Sequence, residues 1–553
     1  MTRLAIVGLD GATFDVIRPM VAAGELPHIA RILRDGASGV LESETPPITP
    51  PAWASMMTGL NPGRHGIYHF VRRELGAYGV KLVDSRNFAG KDLMSVLGRR
   101  GWSAAAINVP MTYPTFPLRG GYMVAGIPCP LEGDSLAWPE GVKAELDAAL
   151  GHPYRPDMDF SLLDKDRERP ADDLDMYAQL RDELFAVERD RIRLLREWAP
   201  RRPVDLFFTV VSLPDRCHHF FWKFQDPSHA GYTPEGARRY GEVIRDSYRV
   251  ADEYLGAVRA LVGEQTPICI LSDHGSGSYN LDFRIILWLE QQGFLARRKV
   301  PYFTWGRTTL ADAVRRAGMP GLGRRLGPLG RLPVARPKIK RVPDARDVIW
   351  SRTRAFASMH GICVNLRGRE PQGVVPPGEG MQRTLEEVER KLAELRGPDG
   401  QPLLDRLVRA PEIYSGPHAA EAPDLQFQLR GISCLPVEEW SGDGLFVVRR
   451  NAGVSGQHRF EGIFALAGPG IAAGRPVHGM HIRDVTPTLF LAAGEAVPAW
   501  MEGRARAEIL ERPRPPEFDP EPEPQPGAGA GDVFSDAESA AIEESLRGLG
   551  YLQ

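Results

Sequence analysis

Cysteine is scarce in this sequence, and what there is does not form a recognisable pattern. The chain has five cysteines in 553 residues, and they are scattered, odd in number and without a CxxC pair. This distribution argues against a disulfide scaffold and against a cysteine-based zinc site. It is typical of reduced thiols in a cytosolic protein. The five are Cys129, Cys217, Cys269, Cys363 and Cys434.

Long hydrophobic runs are also missing. No stretch approaches the roughly 20 apolar residues that a membrane span needs. The apolar run from Leu4 to Leu9 is too short for the core of a signal peptide and leads directly into Asp10. We therefore expect a cytoplasmic protein with no membrane partner.

The chain lacks a strong charge of either sign. Its formal net charge is −3, which argues against a basic protein that holds nucleic acid as a stable partner. Hydrophobic residues make up 43% and charged residues 25%, which is ordinary for a globular protein. The length allows one large α/β domain with insertions, or two to three domains.

Short apolar runs alternate with stretches of helical periodicity along the chain. The predicted helices are Leu174–Trp198, Thr233–Val262 and Asp484–Ala493. This alternation predicts an α/β fold with a mostly parallel central sheet flanked by helices. The predicted strands are Leu4–Leu9, Ala104–Val109, Leu206–Leu213, Ile268–Leu271, Leu425–Leu429 and Ile463–Leu466.

Composition divides the chain into three parts. Residues 1–505 are expected to form the main domain, with insertions at about 130–200 and 290–380 as a cap over the strand ends. Residues 506–533 are rich in Pro, Glu and Gly and are predicted to be a linker. Residues 534–553 predict an amphipathic helix, which could dock on its own core or contact another protein. Its signals are the capping box of Ser535 with Glu538 and the apolar face of Ile542, Leu546 and Leu549.

Three aspartates stand at or just beyond the ends of predicted strands. They are Asp10, Asp215 and Asp273, and the carboxyl ends of parallel strands are where functional groups gather. On a helical turn, Asp215 and His219 share one face, whereas His218 is a weaker rival. Three carboxylates and three imidazoles suit Zn²⁺ or a similar divalent ion, and six ligands are enough for two ions. The remaining histidines of the set are His274 and His458.

Thr49 is the candidate nucleophile. It precedes Pro50 and Pro51 and the helix-like run Ala52–Met57, so it is predicted to be the N-cap of a helix. A helix N-terminus favours an anion such as a phosphoryl group. Taken alone, this local sequence favours a plain helix cap over a nucleophile.

At these residues the chain resembles the alkaline phosphatase superfamily. It is most similar to the branch of type I phosphodiesterases and nucleotide pyrophosphatases, within a group described as predicted phosphohydrolases or phosphomutases. The resemblance covers roughly residues 1–505. The matching motifs are Thr49 with Gly59, the NPGRHGI stretch, Asp215-x-x-x-His219, Asp273-His274-Gly275 and His458 before an EGIF strand.

The resemblance implies two divalent metal ions, Zn²⁺ with Mn²⁺ as the alternative. One ion would be bound by Asp215, His219 and His458. The other would be bound by Asp10, Asp273 and His274, with the Thr49 hydroxyl completing its ligands.

The implied activity is hydrolysis of a small anionic phosphate ester, a monoester or a diester, through a phosphothreonine intermediate on Thr49. Two alternatives remain. One is a phosphomutase that uses the same phosphoenzyme. The other is a zinc-containing binding or scaffold protein whose C-terminal helix is the functional part. No oligomeric state follows from the sequence.

One position departs from the family pattern. Nucleotide pyrophosphatases usually carry a phosphate-binding asparagine where this chain has Phe70, with His69 beside it. The resemblance therefore does not establish a nucleotide as the substrate.

Overall fold

A ten-stranded sheet forms the centre of the protein. The computed structural model describes residues 2–159, 174–298, 303–309, 333–339, 345–439, 444–450, 453–524, 533–549 and 551. The short strand Met480–His481 pairs with Gly36–Glu42 at one side of the sheet. The other strands, in spatial order, are Arg475–Pro476, Gly36–Glu42, Glu461–Ala467, Ile268–Leu271, Leu4–Leu9, Leu206–Val211, Ala104–Val109, Tyr122–Ala125 and Ala137–Trp138.

The middle of this sheet is parallel and buried on both faces. Leu4–Leu9 pairs in parallel with Leu206–Val211 on one side and with Ile268–Leu271 on the other. Every residue of these three strands is buried, which is why they are continuous apolar runs rather than alternating ones. The predicted mostly parallel sheet is therefore confirmed, although Glu461–Ala467 joins it antiparallel to Ile268–Leu271.

Helices cover both faces of the sheet. The predicted helix Thr233–Val262 is two helices in the structure, because the helical conformation ends at Tyr240 and a new helix begins at Val243. Thr233 caps the first of them by accepting a hydrogen bond from the Gly236 amide. The helices are Phe14–Ala22, Pro27–Asp35, Thr49–Thr58, Pro62–His65, Leu93–Arg99, Val142–Leu150, Leu174–Glu197, Leu213–Gln225, Pro234–Tyr240, Val243–Val262, Ile285–Gln291, Glu379–Ala393, Ala410–Ile413, Val485–Ala493 and Asp536–Gly548.

A second sheet of seven strands lies between residues 281 and 448 and carries its own apolar core. The run Leu425–Leu429, expected in the central sheet, belongs to this second sheet. Parts of both predicted insertions, residues 160–173 and 310–332, lie outside the described residues. The strands are Ala355–Ser358, Gly361–Val364, Leu425–Leu429, Cys434–Val437, Leu281–Arg284 and Phe446–Val448, with Leu404–Arg409 beside Leu425–Leu429.

Four further strand pairs stand apart from the two large sheets. One of them, Gly275–Ser278 with Gly456–Arg459, lies beside the candidate site described below. The other three pairs are Val71–Arg73 with Val80–Leu82, Phe303–Thr309 with Pro333–Ile339, and Val497–Pro498 with Phe518–Asp519.

The start of the predicted linker is attached to the domain surface. Phe518–Asp519 pairs with Val497–Pro498, so backbone hydrogen bonds take the place of apolar burial. Acidic side chains of this segment meet basic ones of the domain: Asp519 lies 2.9 Å from Arg100, and Glu523 lies 2.7 Å from Lys91. Residues 525–532 are outside the described part of the chain.

The C-terminal helix Asp536–Gly548 forms with the expected capping box. Ser535 accepts from the Glu538 amide at 3.2 Å, and the Glu538 carboxylate accepts from the Ser535 amide at 2.8 Å. Its apolar face, Ile542, Leu546 and Leu549, is buried in the main core. That face is therefore occupied by the chain's own domain. Among the described residues, no helix has both the length and the apolar character needed to cross a bilayer.

Candidate metal centre

Three aspartates meet at one edge of the central sheet. Asp10 follows the strand Leu4–Leu9, and Asp215 and Asp273 follow the strands that flank it on either side. Because the three strands are parallel, their carboxyl ends lie together. All three carboxylates are at most 1% exposed. A cluster of buried acids is thus built into the topology of the sheet.

Gly11 makes this convergence sterically feasible. Its φ is +66°, a conformation that L side chains rarely adopt, and it turns the chain sharply after Asp10. A Cβ at this position would lie 3.0 Å from Oδ1 of Asp215. The Gly11 amide donates to Oδ1 of Asp273 at 3.3 Å. A single glycine therefore positions the backbone against both neighbouring acids.

Asp215, His219 and His458 form one group of candidate ligands. Asp215 and His219 lie one turn apart on the helix Leu213–Gln225. Oδ1 of Asp215 lies 3.4 Å from Nε2 of His219 and 3.4 Å from Nε2 of His458. The two Nε2 atoms are 3.1 Å apart. These separations suit three donor atoms around one ion at bonds of about 2.0–2.2 Å.

A pair of short strands delivers His458. Gly456–Arg459 runs antiparallel to Gly275–Ser278, with His458 opposite Ser276. The strand Gly275–Ser278 begins directly after Asp273 and His274, so its pairing with Gly456–Arg459 brings His458 to the acid cluster.

Asp10, Asp273 and His274 form the second group. Nε2 of His274 lies 3.2 Å from Oδ2 of Asp273 and 3.7 Å from Oδ1 of Asp10. Ligand atoms of Asp10, Asp215 and His274 also lie within 4.8 Å of one another. Asp215 therefore belongs to both sets of closely spaced ligand atoms, whereas Asp273 approaches the second set through His274.

Each histidine is oriented by a backbone carbonyl. With the proton on Nδ1, His219 donates to the Gly456 carbonyl at 3.0 Å, His274 to Gly275 at 3.0 Å and His458 to Pro47 at 2.9 Å. This tautomer leaves every Nε2 lone pair facing the cluster. Burial lowers the pKa of His219 to about 4 and holds the pKa of His274 well below its usual range. Both rings are therefore neutral, the form that binds a metal.

The carboxylates carry oxygens that no described group satisfies. Both oxygens of Asp10, Oδ1 of Asp215 and Oδ2 of Asp273 lack a hydrogen-bond partner among the described residues. Burial, followed by the charge of Asp215, raises the pKa of Asp10 to about 8. Buried carboxylates without partners are costly unless they are paired or coordinate a cation. The candidate metal ligands are the carboxylate oxygens of three aspartates and the Nε2 atoms of three histidines. This set fits two divalent ions.

Sequence reasoning missed Arg216, which holds Asp215 in place. Arg216 is 1% exposed, and its guanidinium lies 2.7 Å from Oδ2 of Asp215 and 2.9 Å from Oδ2 of Asp157. Burial alone would raise the pKa of Asp215, but His219, His458 and Arg216 hold it well below the usual range. The signal in the sequence was an arginine directly after Asp215, in a segment otherwise rich in aromatic residues and histidines. With Oδ2 engaged, Oδ1 is directed at the histidines.

Thr49 lies at the edge of the centre. Its Oγ1 is 3.4 Å from Nε2 of His274, and the residue is 1% exposed. It is the first residue of the helix Thr49–Thr58, and the N-cap is Ile48, so the predicted capping role is not its role here. Pro50 and Pro51 have no N–H, and the Ala52 amide donates to the Ile48 carbonyl. This helix terminus thus offers a phosphoryl group fewer donors than the sequence suggested.

His218 lies outside both groups. Its Nε2 is 3.3 Å from the Tyr248 hydroxyl, on the side of the helix that packs against Val243–Val262. The neighbouring histidines His218 and His219 therefore have different surroundings.

A mostly apolar pocket opens beside the centre, lined among others by Ile48, His360, Arg406 and His458. His360 sits in a tight turn of the second sheet with φ of +61°, a sparsely populated conformation that recurs at functional sites. Its ring lies 5.1 Å from that of His69, measured between centroids. The second sheet thus contributes directly to the surroundings of the metal centre.

Comparison with known proteins gives one family. The model of the family described as type I phosphodiesterase / nucleotide pyrophosphatase matches residues 4–427. No curated protein matches the chain. Human ectonucleotide pyrophosphatase / phosphodiesterase 5 is 13% identical, with a TM-score of 0.46 over 92% of this chain and 100% of that one. Phosphonoacetate hydrolase from Sinorhizobium meliloti, in complex with phosphonoacetate, is 14% identical, with a TM-score of 0.48 over 89% and 95%.

Proposed function

Because the chain belongs to the type I phosphodiesterase / nucleotide pyrophosphatase family and is a phosphoester hydrolase, we propose that it acts through Thr49 at a centre of two divalent ions. One ion is held by Asp215, His219 and His458, and the other by Asp10, Asp273 and His274. We further propose that the ions are Zn²⁺, since three imidazole nitrogens are mixed with carboxylate oxygens.

One observation carries this proposal. Three buried carboxylates have oxygens without a partner among the described residues, and the Nε2 atoms of three imidazoles lie 3.2–3.7 Å from these carboxylates. The Thr49 hydroxyl lies 3.4 Å from one of these nitrogens. A scaffold protein has no need of a threonine at that place. The set therefore supports an enzyme over the alternative of a structural zinc protein.

The residues divide the chemistry among them. Bound metal ions would supply Lewis acidity, which stabilises a deprotonated threonine and the negative charge of a phosphoryl group. Oγ1 of Thr49 attacks phosphorus, the bond to the leaving oxygen breaks, and the phosphoryl group rests on Thr49 until water removes it. The backbone carbonyls behind His219, His274 and His458 keep the three rings in one orientation throughout.

His69 and His360 are proposed to take the place of the family's phosphate-binding asparagine. Phe70, which stands at that asparagine's position, has no group that could contact phosphate. Nδ1 of His69 lacks a hydrogen-bond partner among the described residues. Burial, then His360 and His458 nearby, hold the pKa of His69 well below its usual range, so the ring is neutral and its N–H can donate.

The test is a panel of chromogenic phosphate monoesters and diesters, assayed with Zn²⁺ and with Mn²⁺. Release of inorganic phosphate or of a monoester product, dependent on metal, supports hydrolysis. Return of the phosphoryl group to a second hydroxyl of the same substrate would instead identify a phosphomutase. Metal binding without turnover of any ester would favour the scaffold alternative.

The same panel tests the two histidines. His69→Ala and His360→Ala should raise KM for the preferred ester while metal content is unchanged. His152→Ala is the matched control, because His152 is a histidine whose side chain is 46% exposed, pairs with Asp190 and is not among the residues that line the pocket.

A further inference from the structure

Tyr551 reaches into the candidate metal centre from the C-terminal segment. It lies just beyond the helix Asp536–Gly548 and is 3% exposed. Its ring is 4.7 Å from that of Phe70 and 5.4 Å from that of His219, measured between centroids. The segment that the sequence suggested as a docking helix therefore carries a side chain to the site.

The Tyr551 hydroxyl contacts all three residues of one ligand group. It lies 3.0 Å from Nε2 of His219 and 3.5 Å from Nε2 of His458, and it donates to Oδ2 of Asp215 at 3.1 Å. The two Nε2 atoms are 3.1 Å apart, and each lies 3.4 Å from Oδ1 of Asp215. The phenol oxygen thus lies about as far from the two imidazole nitrogens as they lie from each other, and it meets the other oxygen of the carboxylate.

Zinc sites are four-coordinate and tetrahedral when all four ligands come from the protein. Asp215, His219 and His458 would supply three ligands, which leaves one corner. The phenol oxygen lies within 3.5 Å of a polar atom of each of these three residues. It is therefore placed to take the fourth corner.

We propose that Tyr551 is a displaceable fourth ligand of the ion bound by Asp215, His219 and His458. The inference rests on the metal centre proposed above. On coordination the phenol O–H bond breaks, the oxygen's electron pair forms the bond to the ion, and the proton passes to solvent. A phosphoryl oxygen that needs the same corner must displace Tyr551.

The surrounding contacts keep the tyrosine in place without a bond to metal. Ile542, Leu546 and Leu549 anchor the helix in the main core, and Phe534 stacks on Tyr113 at 5.6 Å between centroids. Phe70 lies against the ring of Tyr551. Phe70, which replaces the family's asparagine, thus forms the apolar surface on which the Tyr551 ring packs.

The experiment is a titration of metal-free protein with Zn²⁺ alone, followed by ultraviolet difference absorption. Zn²⁺ has no absorption of its own in this region, so a phenolate band reports a coordinated tyrosine. Wild type should develop the band of one tyrosine per chain and release one more proton than Tyr551→Phe, which should develop none. Tyr551→Phe should also bind the ion about tenfold more weakly.

Tyr113→Phe is the matched control. It removes the hydroxyl of another buried tyrosine, whose ring stacks on Phe534 of the C-terminal segment and whose hydroxyl lies 3.1 Å from Ser135. This variant should behave as wild type. The substitution Tyr551→Phe keeps the ring that packs on Phe70, and circular dichroism confirms that the variant is folded. A band of equal size in wild type and Tyr551→Phe, or no band in wild type, would overturn the inference.

Inorganic phosphate tests displacement. Saturating phosphate should abolish the wild-type band, and a band that persists under saturating phosphate would show that the ligand is fixed. These readouts do not require turnover. A phenolate band in a protein that cleaves no ester would refute only the proposed function, and turnover without the band would refute only the role of Tyr551.

Discussion

Nε2 of His219 and Nε2 of His458 lie 3.1 Å apart, although the two residues are separated by 239 positions in the chain. Both Nδ1 atoms donate to backbone carbonyls, so both Nε2 atoms present lone pairs to each other. Two such lone pairs at this distance repel unless a cation or a donor lies between them. The Tyr551 hydroxyl contacts both nitrogens but can donate its proton to only one of them, so the pair is a geometric sign of a cation site among the described residues.

The two adjacent histidines give the first prediction. His219→Ala should lose one of the two metal equivalents per chain, because it removes a donor atom from the Asp215 group. His218→Ala should retain both, since its Nε2 faces the Tyr248 hydroxyl. The measurement is metal content by mass spectrometry after gel filtration. The reverse result, loss with His218→Ala and retention with His219→Ala, would show that the wrong face of the helix was assigned.

Thr49 gives the second. Thr49→Ala should lower kcat on the order of 10³-fold or more, because the substitution removes the attacking oxygen. Metal content should remain, since six other ligands are intact. Thr49→Ser keeps the oxygen and should retain turnover within about tenfold of wild type.

Thr233→Ala is the control for Thr49→Ala, since Thr233 also precedes a proline at a helix start but its hydroxyl accepts from the Gly236 amide as a helix cap. It should cost about 1 kcal/mol of stability through the lost cap and leave kcat unchanged. A folded, metal-loaded and fully active Thr49→Ala would mean that water attacks the ester directly.

Asp10 gives the third prediction, on metal removal. In metal-free protein Asp10 is a buried acid beside Asp215, so Asp10→Asn should raise the free energy of unfolding by at least about 1 kcal/mol. Zn²⁺ should stabilise wild type more than Asp10→Asn, because the variant lacks a ligand. Denaturant unfolding with and without metal measures both effects. A variant that is less stable than wild type when both are metal-free would contradict this account.

Arg216 gives the fourth. Arg216→Ala leaves Asp215 and Asp157 buried without their cation and should cost about 3–5 kcal/mol. Metal affinity should fall about 10- to 100-fold, because Asp215 is no longer held. Arg34→Ala, which breaks an exposed pair with Asp35, should change stability by no more than about 0.5 kcal/mol. Urea unfolding measures the change in stability of the two variants, and zinc titration measures the change in metal affinity.

The central strands and the acids that follow them were predictable because both depend on local sequence. A buried parallel strand is typically a continuous apolar run, and the polar residues directly after it lie at the sheet edge. Leu4–Leu9 with Asp10 and Ile268–Leu271 with Asp273 follow this rule. The placement of Leu425–Leu429 did not follow, because an apolar run of five residues does not specify which sheet it joins.

Arg216 and Tyr551 were not predictable for a different reason. Their importance lies in partners distant in sequence: Asp157 for Arg216, and Phe70 and His219 for Tyr551. Periodicity reveals a helix face but not what lies opposite it. The break between Tyr240 and Val243 was missed because the apolar pattern continues across it.

The bond from His458 to the Pro47 carbonyl spans 411 positions. Contacts between such distant segments form slowly, because the intervening chain must first be ordered. We therefore expect His458 to join the site late in folding. A chain arrested with its last third unstructured would contain Asp10, Asp215 and Asp273 but would bind metal poorly because it lacks His458. The time at which a refolding chain reaches stoichiometric metal binding would thus report when the whole fold is complete.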